Sequence, residues 1–256
     1  MNYNFIFPGQ GSQYIGMGTN IFKNLNFSRT LLDIANDILG YNLEKICSTS
    51  KVNETKYTQP AIFVYSLIID LYLKDLGFNP ASYSGHSLGE YSALVSSKCL
   101  AFEDALMIIK SRANLMNNCS IKRPGKMAAI INLEVNKINK ILNKIKDDIV
   151  IANYNTPKQI IVSGDSNSID QLITYFKDNR IKSIIPLNVS GAFHSPLMKE
   201  AKFSLDKIIK SSKFNNIKSP IYQNVKPIKN FKKDKIKKNL MAQLTLPVRW
   251  VETINN

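Results

Sequence analysis

The stretch ASYSGHSLGEYSALVSS, residues 81–97, decides how this chain is read. It opens as a short strand, closes as a helix, and between them GHSLG (85–89) fits G-x-S-x-G, the sharp turn that lifts a serine out of a sheet. Gly85 and Gly89 leave room for that bend, and Ser87 becomes a candidate nucleophile. A strand running directly into a helix argues for an α/β fold.

Upstream, residues 4–7 read as a first strand and end in a loop, FPGQGSQYIGMG (7–18), carrying four glycines. Two anion-binding fingerprints fail there. G-x-G-x-x-G starting at Gly9 needs glycine where Tyr14 stands, and a Walker loop needs a Gly-Lys pair that is missing. The loop is thus expected to meet a charge that exists only during a reaction. Helical patterns follow over 14–39, stopped at Gly40, and over 61–76, stopped at Gly77. Asn79-Pro80 restarts the chain before the elbow, and a further helix is expected over 102–118.

Downstream the pattern changes. KMAAIIN (126–132), a helix over 134–147, DIVIANY (148–154), KQIIVSG (158–164), a helix over 166–179 and IKSIIPLN (181–188) form a β-α-β-β-α-β succession, the ferredoxin-like order. The chain then returns to helices and to a Pro-bounded segment at 220–228. The expected architecture is a hydrolase-like α/β domain of residues 1–124 and 189–256 with a ferredoxin-like small domain, 125–188, inserted into it. A cleft between the two is the expected ligand site.

Serine at its ordinary pKa needs a base within hydrogen-bond reach. The chain has only two histidines. His86 adjoins Ser87 on a tight elbow, where neighbouring side chains point apart, so it is expected to be packed or turned to solvent. His194, in the loop SGAFHSP (190–196), is left as the base. Its other ring nitrogen needs an orienting partner, either an aspartate or a carbonyl oxygen. Asp165, Asp170 and Asp178 precede it but fall on or beside a predicted surface helix.

Arginine is scarce, at five of 34 basic residues. Arg112 shares the helix face of Ile109 and Met116, so its guanidinium points into the protein and must meet an anion or strong acceptors. Two partners fit: an internal carboxylate such as Glu90, or a substrate carboxylate held bidentately, as lysine cannot do.

Bulk properties set the remaining bounds. A chain of 256 residues with 44% hydrophobic and 21% charged residues buries a full core. The longest apolar run, 61–73, is interrupted by Asp70 and too short to span a bilayer. No secretory pattern follows Met1, and three cysteines without metal-ligand spacing suit a reducing compartment, so a cytoplasmic protein is expected. The net charge is +15, with thirteen lysines against three carboxylates over 199–240 and the densest run, KNFKKDKIKK, at 229–238. That run has one aromatic and no arginine, so a solvated face is favoured over nucleic-acid binding.

FPGQGSQYIGMG, TQPA (58–61), GHSLGEYSAL, KSRANLM (110–116), NYNTPKQIIVSG (153–164), SGAFHSPLM and LPVRW (246–250) together resemble, in this order, the malonyl-CoA:acyl-carrier-protein transacylases of fatty-acid synthesis and the acyltransferase domains of polyketide synthases. The resemblance covers nearly the whole chain. It implies an ester on Ser87 with His194 as base, the Gln10 and Leu88 backbone N–H groups as oxyanion hole, Arg112 on the malonyl carboxylate, Gln59 lining the pocket, and the Gln243 carbonyl orienting His194. Malonyl-CoA and an acidic carrier protein bearing phosphopantetheine would be the substrates, with no cofactor, no metal and a monomeric enzyme. Phe193 would crowd an α-methyl group on the acyl chain. Members of that family usually continue several dozen residues beyond the equivalent of RWVETINN (249–256), so the large domain is expected to be incomplete. The rival readings are a serine hydrolase or thioesterase built on the same elbow, and a partner-dependent subunit that binds the carrier protein without turnover.

Overall fold

In the computed structural model, residues 3–24, 26–145 and 148–256 are described. Residues 25, 146 and 147, which fall inside expected helices, lie outside them. In chain order the elements are β1 Tyr3–Phe7, α1 Thr19–Asn24, α2 Asn26–Leu39, α3 Leu43–Cys47, α4 Thr55–Asp75, β2 Pro80–Gly85, α5 Gly89–Ser96 and α6 Phe102–Lys122. There follow β3 Gly125–Ile131, α7 Val135–Ile145, β4 Ile149–Thr156, β5 Gln159–Asp165, α8 Ser166–Asp178, β6 Ile184–Pro186, α9 Lys199–Ser211, β7 Ile221–Tyr222, α10 Lys233–Gln243 and α11 Trp250–Asn255.

Two sheets organise the chain. The first is parallel, in the order β1-β2-β7, and its middle strand β2 runs into the elbow. The second is antiparallel, in the order β4-β5-β3-β6, the strand order of a ferredoxin-like unit. Its strands alternate by two, as a pleat requires. Ala128 and Ile130 of β3 and Ile160 and Val162 of β5 pack with Ile138, Ile169, Leu172 and Phe176 of α7 and α8. Met127, Ala129 and Ile161 face the other way, into the larger core built around α4, α5, α6 and β2. Both faces of this small sheet are therefore apolar, one covered by its own helices and one turned to the rest of the chain.

Several element ends differ from the sequence reading. The stretch 14–18 is not helical, because Gly16 and Gly18 adopt positive φ and Gly16 N–H bonds to the Cys47 carbonyl at 2.8 Å. α4 begins at Thr55, not 61, and carries Pro60 inside it. A proline there forgoes one helical N–H bond, which burial of Thr58 to Val64 offsets. α6 runs one turn beyond Asn118, to Lys122, and β6 shrinks to three residues. The chain from β6 onward lays Val248 beside Asn153, with the Val248 N–H on the Ala152 carbonyl at 2.8 Å. This stitches the segment before α11 to the edge of the small sheet and closes one side of the cleft described next. Among the described residues no helix is long and apolar enough to cross a membrane.

Candidate active site

The elbow is built by close approach. A Cβ on Gly85 would overlap the Gly89 carbonyl group, and one on Gly89 would overlap the Phe7 carbonyl oxygen, so neither position accepts a larger residue. Ser87 between them takes φ +50°, a left-handed conformation rare for a residue with a side chain. Its backbone is held from outside the turn. Ser87 N–H donates to Asn224 Oδ1 at 2.6 Å, and Gln243 Nε2 donates to the Ser87 carbonyl at 2.9 Å.

Ser87 Oγ lies 2.8 Å from His194 Nε2. His194 is 4% exposed and also has positive φ, +56°. Its Nδ1 faces two carbonyl oxygens, Gln243 at 2.9 Å and Leu246 at 3.2 Å. Two acceptors on one nitrogen fix the tautomer: Nδ1 carries the proton and Nε2 is the free base toward Ser87. Burial, then the charge of Arg112, pushes the His194 pKa down to about 3, and the two carbonyls oppose this only in part. The imidazole is neutral throughout the ordinary pH range. None of Asp165, Asp170 or Asp178 touches it; Asp165 caps α8 and Asp170 pairs with Lys126.

His86 is packed against the Trp250 ring edge and bonds to Asn155 Oδ1 at 2.9 Å, with burial lowering its pKa. The N–H groups of the elbow are bonded at every position but one. His86 bonds to Phe7 O, Ser87 to Asn224 Oδ1, Gly89 to His86 O, Glu90 to Ser87 O and Tyr91 to Leu88 O. Leu88 N–H alone in this run has no acceptor among the described residues. Across the cleft, the Gln10 loop sits against the elbow, where a Cβ on Gly9 would come 2.5 Å from the His86 carbonyl. Gln10 and Leu88 both line the cleft that holds Ser87.

Arg112 is 1% exposed, and among the described residues no carboxylate lies within ion-pair distance of it. The expected alternative partner, Glu90, is occupied elsewhere, accepting from Gln223 Nε2 and the Asn224 N–H, each at 2.9 Å. Arg112 instead donates from Nη1 to Gln59 Oε1 at 2.6 Å and from Nη2 to Ser87 Oγ at 3.2 Å, lies over the Tyr91 ring, and leaves Nε without a partner. Burial lowers its pKa, but a guanidinium stays protonated. The reading of Gln59 as a pocket-lining residue is corrected: it is fully buried on α4 behind Arg112, bonded to Arg112, to Met116 Sδ and, at 3.4 Å, to Gln10 Oε1.

The cleft encloses about 400 Å³ between the elbow and the inner face of the small sheet, where Met127, Ala129 and Ile161 meet Met116 and Phe193. Asn153, Asn155 and Gln159 form a polar patch on its wall. Among the described residues no three His, Cys, Asp or Glu side chains gather as a metal site. Lys237 of the lysine run is used structurally, capping the carbonyls of Lys210 and Ser212, and no residue of 229–238 lines the cleft. Sequence reading missed Asn224, Gln223 and the Leu246 carbonyl. The available signal was the polar pair Gln223-Asn224 directly after the apolar Ile221-Tyr222.

Such a site can form and break an acyl bond on Ser87 and bind an anion beside it. The acyl transferase domain family matches residues 4–256. The "Malonyl CoA-acyl carrier protein transacylase" of Bacillus subtilis is 35% identical over 257 residues, covering 98% of this chain and 81% of that protein. The "Polyketide biosynthesis protein PksE" of the same organism is 38% identical over 258 residues, and there the chain spans only 32% of the longer protein. The crystal structure of the Synechocystis sp. PCC 6803 malonyl-CoA:ACP transacylase superposes with a TM-score of 0.93 at 32% identity, covering all of this chain and 85% of that one. This chain belongs to the acyl transferase domain family.

Proposed function

We propose that this protein moves a malonyl group from malonyl-CoA to the phosphopantetheine thiol of an acyl carrier protein, by way of a Ser87 ester, in cytoplasmic fatty-acid synthesis. The observation that carries the substrate class is Arg112: a buried guanidinium without a carboxylate partner, touching the nucleophile. A guanidinium so placed fits an acyl group that ends in a carboxylate and is left uncompensated by one that does not.

In the first half-reaction Ser87 Oγ attacks the thioester carbonyl while its proton passes to His194 Nε2. The tetrahedral oxyanion lies against the Leu88 and Gln10 N–H groups. Collapse breaks the C–S bond, and His194 returns the proton to the departing CoA thiolate. The second half-reaction runs the same steps in reverse with the carrier thiol as nucleophile, leaving Ser87 free. The Gln243 carbonyl keeps His194 in its tautomer, and Gln59 holds the Arg112 fork. The malonyl carboxylate also offsets the Arg112 charge that depresses His194, so the imidazolium of the transition state forms more readily once substrate is bound.

The route uses only the chain's own groups and two substrates, a thioester donor and a thiol acceptor, without a cofactor. Three buried free cysteines fit a reducing cytoplasm. The exposed lysines 229, 232, 233, 235 and 238 fit attraction of an acidic carrier and of CoA phosphates. Incubation with malonyl-CoA followed by intact-mass measurement tests the reading. It requires one malonyl adduct on Ser87 that moves to added holo carrier protein. A folded protein that takes up no adduct, or one whose adduct is lost only to water, would rule it out.

A further inference from the structure

The bend that exposes Ser87 leaves two backbone groups without a strand or helix to satisfy them, the Gly85 carbonyl and the Ser87 N–H. Both are met by one side chain, 139 residues beyond Gly85 and 137 beyond Ser87. Asn224 Nδ2 donates to Gly85 O, and Asn224 Oδ1 accepts from Ser87 N–H, each at 2.6 Å. Asn224 is fully buried, and its own backbone is fixed at both ends: its N–H on Glu90 Oε2 at 2.9 Å, its carbonyl taking the Arg249 N–H at 3.0 Å. Glu90, also fully buried, takes Gln223 Nε2 on its other oxygen at 2.9 Å. β7 delivers the residue there, since Tyr222 pairs with Ser84 of β2 and the chain leaves β7 alongside the elbow.

Resting on the acyl-transfer reading above, we propose that Asn224 is a positioning residue for this reaction: its amide grips both sides of the elbow, holding Ser87 in its left-handed turn and leaving the Leu88 N–H free for the oxyanion. The chemistry is specific to an amide, because the two backbone groups demand one acceptor and one donor from a single planar group. Leucine has the shape without either. An ionised aspartate meets the Ser87 N–H but sets an oxygen against the Gly85 carbonyl, whereas a protonated aspartic acid again offers one acceptor and one donor. By occupying the Ser87 N–H, Asn224 also determines which elbow amide remains for catalysis. The polar pair Gln223-Asn224 after a short apolar strand marks a change in the chain but does not point to a turn so far away.

The test compares Asn224→Leu, Asn224→Ala and Asn224→Asp with the wild type in malonyl transfer and in labelling of Ser87 by a fluorophosphonate, which reads serine alignment without a malonyl group. The Leu and Ala variants should melt cooperatively, lose about 10–100-fold in kcat and in labelling rate, and keep KM for malonyl-CoA within about twofold. The charged and titratable groups around the position are Glu90, bonded to the Asn224 N–H, Arg249, whose N–H bonds to the Asn224 carbonyl, His86, between the two elbow residues that Asn224 grips, and His194 and Arg112, both bonded to Ser87 Oγ. Of these, Glu90 favours the protonated form of an introduced aspartate, so Asn224→Asp should regain rate as pH falls from 8 to 5 while the wild type does not. Unchanged kcat and labelling in Asn224→Leu, a loss confined to KM, an Asp variant insensitive to pH, or failure of all three variants to fold would each overturn the proposal. A wild type that labels with fluorophosphonate yet takes no malonyl group would sink the substrate reading alone, and the labelling rates would still decide the role of Asn224.

Discussion

Arg112 Nη2 lies 3.2 Å from Ser87 Oγ and donates to it, so the nucleophile carries two hydrogen bonds at rest: one given to His194 and one received from a guanidinium. The same fork that would seize a substrate carboxylate thus begins its cycle on the serine. An acyl chain that ends in a carboxylate would compete with Ser87 Oγ for this guanidinium.

Removal of that fork should separate acyl groups. Arg112→Ala is expected to lose roughly 2–5 kcal/mol of transition-state stabilisation for malonyl transfer and much less for acetyl transfer. The ratio of kcat/KM for malonyl-CoA and acetyl-CoA measures it. Arg112→Lys should recover little, since an ammonium cannot replace two parallel N–H donors.

Gln59 acts one layer behind. Its 2.6 Å bond to Arg112 Nη1 is a hydrogen bond to a charged group, worth about 1.5–3 kcal/mol. Gln59→Leu should therefore lower malonyl over acetyl preference by about 10–100-fold, given that 1.4 kcal/mol is tenfold. Fluorophosphonate labelling of Ser87 should stay close to wild type, which separates this role from that of the elbow.

For the opposing loop, backbone and side chain should differ. Gln10→Ala keeps the N–H and loses only the side chain's bonds to Thr55 Oγ1 and, at 3.4 Å, from Gln59 Nε2, so transfer is expected to fall less than tenfold, well below the loss of a donor. Gly9→Ala drives a methyl group into the His86 carbonyl and displaces the N–H itself, for an expected loss of about 10²–10³ in kcat. Equal effects of the two substitutions would overturn this account of the loop.

The pH behaviour follows from the buried imidazole. With the His194 pKa depressed to about 3, the base stays neutral well below the ordinary histidine range, and Ser87 acylation should show no loss between pH 8 and about 5. Stability carries the opposite signature. The unfolded chain binds a proton at His194 below about pH 6.5 while the folded chain does not, so this residue's contribution is complete above 6.5 and falls as pH drops toward 3. Denaturant melts of wild type and His194→Gln should shift in favour of the variant by about 1.4 kcal/mol for each pH unit in that window.

Local sequence determined a large share of this protein. The strand-to-helix elbow, the alternation of β3 and β5, the β-α-β-β-α-β order and the inward face of Arg112 are all periodicities or turn requirements within a few residues. Two histidines, one of them beside the serine, reduced the base to His194 by elimination. Element ends were less legible. Pro60 sits inside α4 because burial of its neighbours outweighs one lost N–H bond, a balance invisible in the proline itself.

What only the tertiary structure decided was partnership. Whether Arg112 met Glu90 or stood ready for a ligand depended on Gln223 and Asn224 arriving from more than 130 residues away to take both Glu90 oxygens. Gln243 holds the base with its carbonyl and the Ser87 carbonyl with its amide, and Gln59 stands behind the arginine and not in the cleft. The physical reason is common to all three. A side chain's face is set by the 3.6- or 2-residue repeat of its own element, but a buried polar atom bonds to whatever the packed elements bring within about 3 Å, and no local repeat carries that information.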